Sequence, residues 1–474
     1  MSMTAIMAAE WRRFIARPVS RWILLALGLL LLASAVWAGL GARSYRAETV
    51  SLHLQWRQVF DQAVAGAPQD FATDRPTGSE AASTAHAIGR GELAPTRLPA
   101  TGALVLGLQQ YQVLPTAVRA TVESRYTDGR VTGSLVNPWL SQTGLPSFPA
   151  IIVLLVPLAA LALTAGMVQE EREQGIWRLI CAQCSVGLGR VYAAAMAVRW
   201  AAVFAVAALC SVGAFVLDPG AALAPLFAWL LALAVFTAFW VLAGGALSLL
   251  PVSAGAALTG ALGLWLALTF AVPAGLAWMA ERVAPMPSRL SAIVELRAVQ
   301  QDAEEREAEL LKAWYADHPE QRPAPGMAPV RPTRPVTFMP RFEEQERHMR
   351  PLMRAFDKAR SAQAARVEGG AWLSPSLALM VLADRLAGID AERYGRYMEA
   401  VDRFEDRWRA FFMPGIMSYR GVTASQLRQL PVFEQESAHI DHVPSEGPAL
   451  WWLLAACLSV AALLAVGRRA LVRP

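Results

Sequence analysis

Apolar positions in this chain of 474 residues are gathered into long unbroken blocks rather than alternating with polar ones. The longest stretch, 219–280, runs for 62 residues without an Asp, Glu, Lys or Arg. One bilayer crossing takes about 20 apolar residues, so this stretch predicts two spans and a turn. The same reading along the chain gives six spans: 22–42, 148–168, 200–217, 223–243, 255–280 and 449–467. Trp22, Trp37, Phe148, Trp200, Trp240, Trp278, Trp451 and Trp452 stand near span ends. Amphipathic rings there fit an interfacial belt.

Two large polar segments remain, 43–147 and 281–448. The first is expected to continue the first span as a helix to about Ala65. It then breaks at Pro68, Pro76, Gly89, Gly91, Pro95 and Pro99. Its stretch 104–125 is apolar-periodic and fits helix or strand. The second segment predicts helices over 295–317, 341–368, 375–387 and 391–412, with a proline-rich linker over 319–340. Ser374 followed by Pro375 is a helix start, Gly388 a stop, and Asp390 the next cap. The expected fold class is an all-α membrane protein: six transmembrane helices with a mainly helical extracytoplasmic cap.

Short flanks orient the spans. Residues 1–21 carry Arg12, Arg13, Arg17 and Arg21 against Glu10, and 468–474 carry Arg468, Arg469 and Arg473 without an acid. Both termini are therefore expected in the cytoplasm of a bacterial inner-membrane protein, since basic flanks stay inside. Residues 1–21 form an interfacial helix on that side, 169–199 a cytoplasmic loop, and 468–474 a tail. Segments 43–147 and 281–448 then lie outside. A signal peptide is the competing reading of the N-terminus, because Ala33, Ser34 and Ala35 have the small-x-small look of a cleavage site. The apolar run of about 20 exceeds the usual h-region of about 7–15, which favours an uncleaved span. Arg199, at the inner end of the third span, is expected to snorkel toward water.

Composition adds little chemistry. Charged residues are 17% of the chain against 55% hydrophobic, which excludes a soluble enzyme and a disordered chain. Lys312 and Lys358 are the only lysines beside 41 arginines, and no basic stripe interleaved with aromatics points to nucleic acid. No GxxxxGK[ST], HExxH or GxSxG motif occurs. No Asp, Glu or His falls inside the spans, where ion-coupled carriers usually keep such groups. Cys181 and Cys184 have CxxC spacing without a second pair or a nearby His to complete a zinc site. The six histidines, His53, His86, His318, His348, His439 and His442, all lie in the outer segments. His439, Asp441 and His442 form a weak metal candidate, read more simply as a polar loop. The sequence thus describes a membrane body with no energy source of its own.

The most informative stretch follows the second span. Gly166 leads into a charged turn, Glu170, Glu171, Arg172 and Glu173, then Gly175 and a short apolar helix with Ile176, Trp177, Leu179 and Ile180. This resembles the "ERExGTL" signature of ABC-2-type transporter permeases. Asn137, Pro138, Leu140, Phe148, Pro157 and Leu158, with Ser374, Pro375, Ala387, Gly388, Ile389 and Asp390 and then Trp408, Phe411 and Phe412, resemble the branch known as multi-copper-enzyme-maturation-type permeases. The departures are Ile176 where the signature has Thr, and Cys184, Ser185 and Val186 without the usual Pro.

The resemblance implies the ABC-2, or type V exporter, fold and a permease subunit that is not itself an enzyme. No cofactor is expected in this chain, because ATP is bound and hydrolysed by a partner ABC ATP-binding subunit. Glu170, Glu171, Arg172, Glu173, Gly175, Trp177 and Leu179 are the expected ATPase-coupling residues. A second permease copy or paralogue and the lipid bilayer are the other partners, and export is the expected direction. The alternative is a membrane-anchored assembly protein whose outer segment binds an envelope partner.

Overall fold

The computed structural model describes residues 3–68, 78–91, 93, 95–123, 147–177, 188–434, 440, 454, 455 and 457–462. Helix α1 spans Met3–Ala16 and α2 Pro18–Gly66. Pro18 starts α2 where its missing N–H is harmless. With no later proline, α2 runs for 49 residues, about 73 Å at 1.5 Å per residue. Its apolar first half carries the expected first span and its polar second half continues past it, as the sequence reading anticipated.

After α3 (Gly78–Arg90), strand β1 (Pro95–Arg97) pairs antiparallel with β2 (Ala117–Arg119), bringing Thr96 opposite Val118. Helix α4 (Leu104–Val113) fills the connection. The stretch that fitted helix or strand is therefore both in turn, and among the described residues the fold departs from all-α by one two-stranded ribbon.

Next come α5 (Phe148–Thr164), α6 (Met167–Glu173), α7 (Leu188–Leu217), α8 (Leu223–Ser248), α9 (Ala254–Leu266), a π-helical turn (Ala267–Ala271) and α10 (Val272–Val283). Among the described residues five helical stretches are long and apolar enough to cross a membrane: α2, α5 with α6, α7, α8, and α9 through α10. The chain is thus an integral membrane protein by helix length and composition. The sixth expected span, 449–467, lies mostly outside the described residues.

The five stretches are not equivalent. The most apolar window of α5 is 72% buried against its neighbours, and that of the α9–α10 stretch only 11%. Helices α2, α5, α7 and α8 pack on one another around Trp229, Phe236 and Trp240. Trp22, Trp37 and Trp278 are exposed, as an interfacial belt requires, but Trp240 is fully buried edge-on to Phe236 and Phe239. Phe148 is buried too. Mean hydropathy cannot separate a helix-facing ring from a lipid-facing one.

The π turn has a local cause. Pro273 cannot donate to the preceding turn, and its ring crowds the carbonyl four residues back. A wider turn immediately upstream relieves that clash and frees carbonyls.

The remaining helices are α11 (Arg289–Glu305), α12 (Glu307–Asp317), α13 (Arg334–Gly369), α14 (Pro375–Ala387), α15 (Ala391–Met417) and α16 (Ala424–Leu427). The expected linker over 319–340 is shorter than the prolines suggested, because α13 already starts at Arg334. Pro335 sits in its first turn, and burial of Val336, Met339, Pro340 and Phe342 offsets the lost bond at Pro340. The caps around α14 follow the sequence. Ser374 Oγ accepts from Leu377 N, Gly388 ends the helix at φ 70°, and Asp390 accepts from Arg393 N.

Helix α15 supplies the core of this second layer. Tyr397, Phe404, Trp408 and Phe412 lie along one face, all buried, and Trp408 Nε1 donates to Gly89 O at 2.8 Å. This ties α15 to α3 across more than 300 residues of sequence.

Candidate functional site

The expected coupling stretch forms an elbow at the end of α5. Gly166 has φ 86°, a left-handed conformation that costs other residues about 1–2 kcal/mol. The chain turns there into α6, which lies across the connection between α8 and α9. Gln169 Nε2 donates to Leu247 O at 2.9 Å and Leu250 O at 3.2 Å. Leu247 O also accepts from Leu250 N at 3.2 Å and Leu250 O from Val252 N at 2.9 Å, so the amide adds a second bond to carbonyls of the turn that ends α8. One turn later, Glu173 Oε1 accepts from Ala254 N at 2.9 Å, at the start of α9. An amide donor thus meets a helix C-terminus and a carboxylate a helix N-terminus, each matching the helix dipole it faces.

Glu171 points the other way. It is 5% exposed and accepts from Arg13 Nη2 at 2.5 Å, with Arg17 Nη2 at 3.6 Å. Arg13 also lies 3.7 Å from Glu10. Helix α1 is thereby held against the elbow, and α1 packs along α7. Arg199 of α7 completes the cluster. The expectation that it reaches water is corrected: it is 5% exposed, its Nε donates to Leu163 O at 2.8 Å and its Nη1 to Ala195 O at 2.9 Å. Its guanidinium stands 5.5 Å from the Phe14 ring centroid. Two carbonyls and a ring satisfy it at lower cost than extending past α1.

Of the seven residues the sequence singled out, the structure brings six to this elbow in different environments. Glu171 and Trp177 are buried, and Arg172 lies 5.7 Å from the Trp177 ring centroid. Glu170 and Gly175 are exposed, Gly175 with φ 74°, while Glu173 is exposed along one side with an oxygen on α9. Ile176 is 40% exposed and is the apolar group the elbow presents outward. Leu179, the Cys181–Cys184 pair and the residues His439, Asp441 and His442 lie outside the described residues. Among the described residues no group of three His, Cys, Asp or Glu could hold a metal ion. Sequence reasoning missed Gln169, Arg13, Arg17 and Arg199 as parts of the site. Arg13 and Arg17 registered only as an orientation signal and Arg199 as a snorkelling side chain, and an uncharged Gln at a span end gave none.

At the opposite ends of the same helices, α14 nests among the spans. It packs on α5, α8 and the π turn. Ser374 Oγ donates to Leu268 O at 2.5 Å, a carbonyl freed by the π turn, and Ser376 Oγ is 3.1 Å from Thr269 Oγ1. Nearby, Arg46 of α2 grips buried Asp218 in the α7–α8 turn through Nε at 2.5 Å and Nη2 at 3.0 Å. On α14, one oxygen of Asp384 is buried without a hydrogen-bond partner among the described residues. Burial pushes its carboxyl up to about 7, and Asp390 and Glu368 push the same way.

Residues 289–436 match the model of a family described as a domain of unknown function (DUF3526). The match begins in α11 and ends beyond α16, so it includes α14 with Ser374 and Asp384 but not the elbow. No curated protein and no solved structure matches the chain.

Proposed function

We propose that this chain is the membrane-spanning permease subunit of an ABC transporter, an exporter driven by a separate ATP-binding subunit at its cytoplasmic face. The observation that carries the proposal is the elbow. Gly166 and Gly175 bracket a short charged helix strapped to α1, α8 and α9 and presenting Glu170 and Ile176 outward. A partner docking there would push on three helices at once. The resemblance of 166–183 to ABC-2-type permeases supports the same reading, and a second permease copy would complete the pathway.

On this reading the groups that meet the ATPase are the ones not already engaged within the chain. Glu171, Glu173 and Trp177 are engaged within the chain, so they set the shape of the elbow. Ile176 and Glu170 are the groups left to fill a partner's groove. An apolar anchor in such a groove is worth about 2 kcal/mol or more, some thirtyfold in affinity.

The test is purification of the tagged full-length chain from native membranes. An ATP-binding protein is expected to accompany it with ATP hydrolysis, and Ile176→Glu should strip that protein away without lowering the abundance of the chain. A preparation with no nucleotide-binding partner and no ATP hydrolysis would overturn the permease reading in favour of a membrane-anchored assembly protein. Full retention of the partner by Ile176→Glu would move docking away from the elbow.

A further inference from the structure

A cavity of about 550 Å³ lies outside the apolar helices, between α3, α11 and the first turns of α13. That size is within the range of small-molecule sites. Its wall is unlike an ordinary surface crevice in three respects.

The first is charge. Arg90, Arg334 and Arg341 line it with Glu123 and Glu304, and Glu307 pairs with Arg341 from outside the lining, so Arg334 is the guanidinium left without an acid among the described residues. The carboxylates are already engaged. Glu123 Oε1 is 3.2 Å from His86 Nε2 and 3.4 Å from Arg90 Nε. Burial opposes ionisation of Glu123, but the His86 hydrogen bond and Arg90 together hold its carboxyl below the usual range. It therefore stays an anion that His86 and Arg90 occupy. Glu304 is 3.7 Å from Arg341, whose closer partner is Glu307 at 2.9 Å. Arg334 makes no ion pair among the described residues.

The second is an unmet donor. Arg341 Nε is buried without an acceptor among the described residues, although Arg341 lines the cavity. That nitrogen is covered by protein, so it adds to the positive field of the wall rather than offering a contact of its own. Arg334 and Pro335 are the first residues of a 36-residue helix, whose N-terminus adds partial positive charge on the same side.

The third is the apolar wall. Phe338 and Phe342 meet edge to face at 5.8 Å. The guanidiniums of Arg334 and Arg341 stand 4.8 and 4.9 Å from the Phe338 ring centroid. This keeps two cations beside an aromatic surface.

We infer that this cavity binds a small organic monoanion, a carboxylate with a flat apolar body, with the charge at Arg334 and Arg341 and the body against Phe338 and Phe342. Most of the lining lies in the 289–436 segment, so the site belongs to that domain and does not depend on the permease reading. An apolar crevice would favour the neutral ligand, because a carboxylate pays desolvation there, whereas the Arg334 guanidinium reverses that preference.

The experiment uses the full-length chain in lipid nanodiscs and fluorine NMR of 4-(trifluoromethyl)benzoate, with 4-(trifluoromethyl)benzyl alcohol as the neutral counterpart and empty nanodiscs as blank. The benzoate line should broaden with protein beyond the blank, and the alcohol line should not. Arg334→Gln should weaken benzoate binding about tenfold or more, the loss expected for one charge-assisted pair. Arg334 is exposed at the surface, so the variant keeps its fold. Arg347→Gln, an exposed arginine on the same helix, should leave binding unchanged. Equal binding of alcohol and benzoate, no benzoate binding, or undiminished binding by Arg334→Gln would each overturn the inference.

Discussion

Replacing Glu171 with alanine separates an internal strap from a docking residue. Its side chain is 6% exposed, while those of Arg13 and Arg17 are 38% and 35% exposed. At about 4 Å and an effective dielectric constant of about 20, the direct attraction would be about 4 kcal/mol. The arginines are over a third exposed, so water screens much of that and the side chains give up freedom to hold the geometry. Removing the carboxylate also leaves Arg13, Arg17 and Arg199 facing each other with Glu10 as the remaining acid. The net expected cost for Glu171→Ala is about 2 kcal/mol, felt by the chain without any partner. The assay is thermal unfolding of the purified chain in nanodiscs, with Arg13→Ala and the double variant closing a cycle. The midpoint should fall by about 2 °C for Glu171→Ala. The double variant should be less destabilised than the sum of the singles, by about 1 kcal/mol or more of coupling. A Glu171→Ala midpoint within half a degree of wild type, or an additive cycle, would refute the strap.

Ser374→Ala removes both the α14 cap and the donor to Leu268 O; it should cost about 2–3 kcal/mol in the same melting assay, and a loss below about 0.5 kcal/mol would mean the π-turn carbonyl is satisfied otherwise. Asp384→Asn tests the buried carboxyl, whose pKa in the folded chain rises from 3.8 to about 7. A raised carboxyl pKa means that the folded state holds the proton more tightly, so stability is full below about pH 4, falls as pH rises toward 7 and stays reduced above it. Asp384→Asn should therefore raise the melting midpoint at pH 8 and leave it nearly unchanged at pH 4; a pH-independent difference would count against a carboxyl buried without a partner.

What the sequence made legible was local. Ser374, Pro375, Gly388 and Asp390 mark helix ends because capping is decided by groups within four residues of one another, and the structure uses all four so. The unbroken helix from the first span past Ala65 was legible for the same reason, since nothing in it breaks a helix. What escaped depends on packing register. Arg13 and Glu171 are 158 residues apart, and nothing local brings them together. Arg199 looked like a snorkelling residue because its acceptors, Leu163 O and Ala195 O, are backbone carbonyls that carry no sequence signal. Trp177 looked like an outward anchor from its place on a short apolar helix, yet it is turned inward and Ile176 outward. Ile176, Trp177, Leu179 and Ile180 are apolar nearly all round, so their pattern does not declare which face is buried.

The two ends of the molecule share one helical stretch. In the stretch Ala254–Val283 only 11% of the most apolar window is buried, although α10, its second half, packs on α13. Its first half, α9, is anchored at both ends: Glu173 on the Ala254 amide at one, and Ser374 and Ser376 on the π turn at the other. A helix of thirteen residues, such as α9, spans about 20 Å and transmits displacement along its axis better than it bends. The π turn is where it can yield, because its hydrogen-bond ladder is already widened there. On the permease reading, a push on α6 therefore reaches α14 through α9 without crossing the tightly packed core of α2, α5, α7 and α8. This would give Ser374 a weight beyond stability. Loosening it should uncouple movement at the elbow from movement of α14 while leaving the elbow itself intact, so ATP hydrolysis would persist with transport reduced.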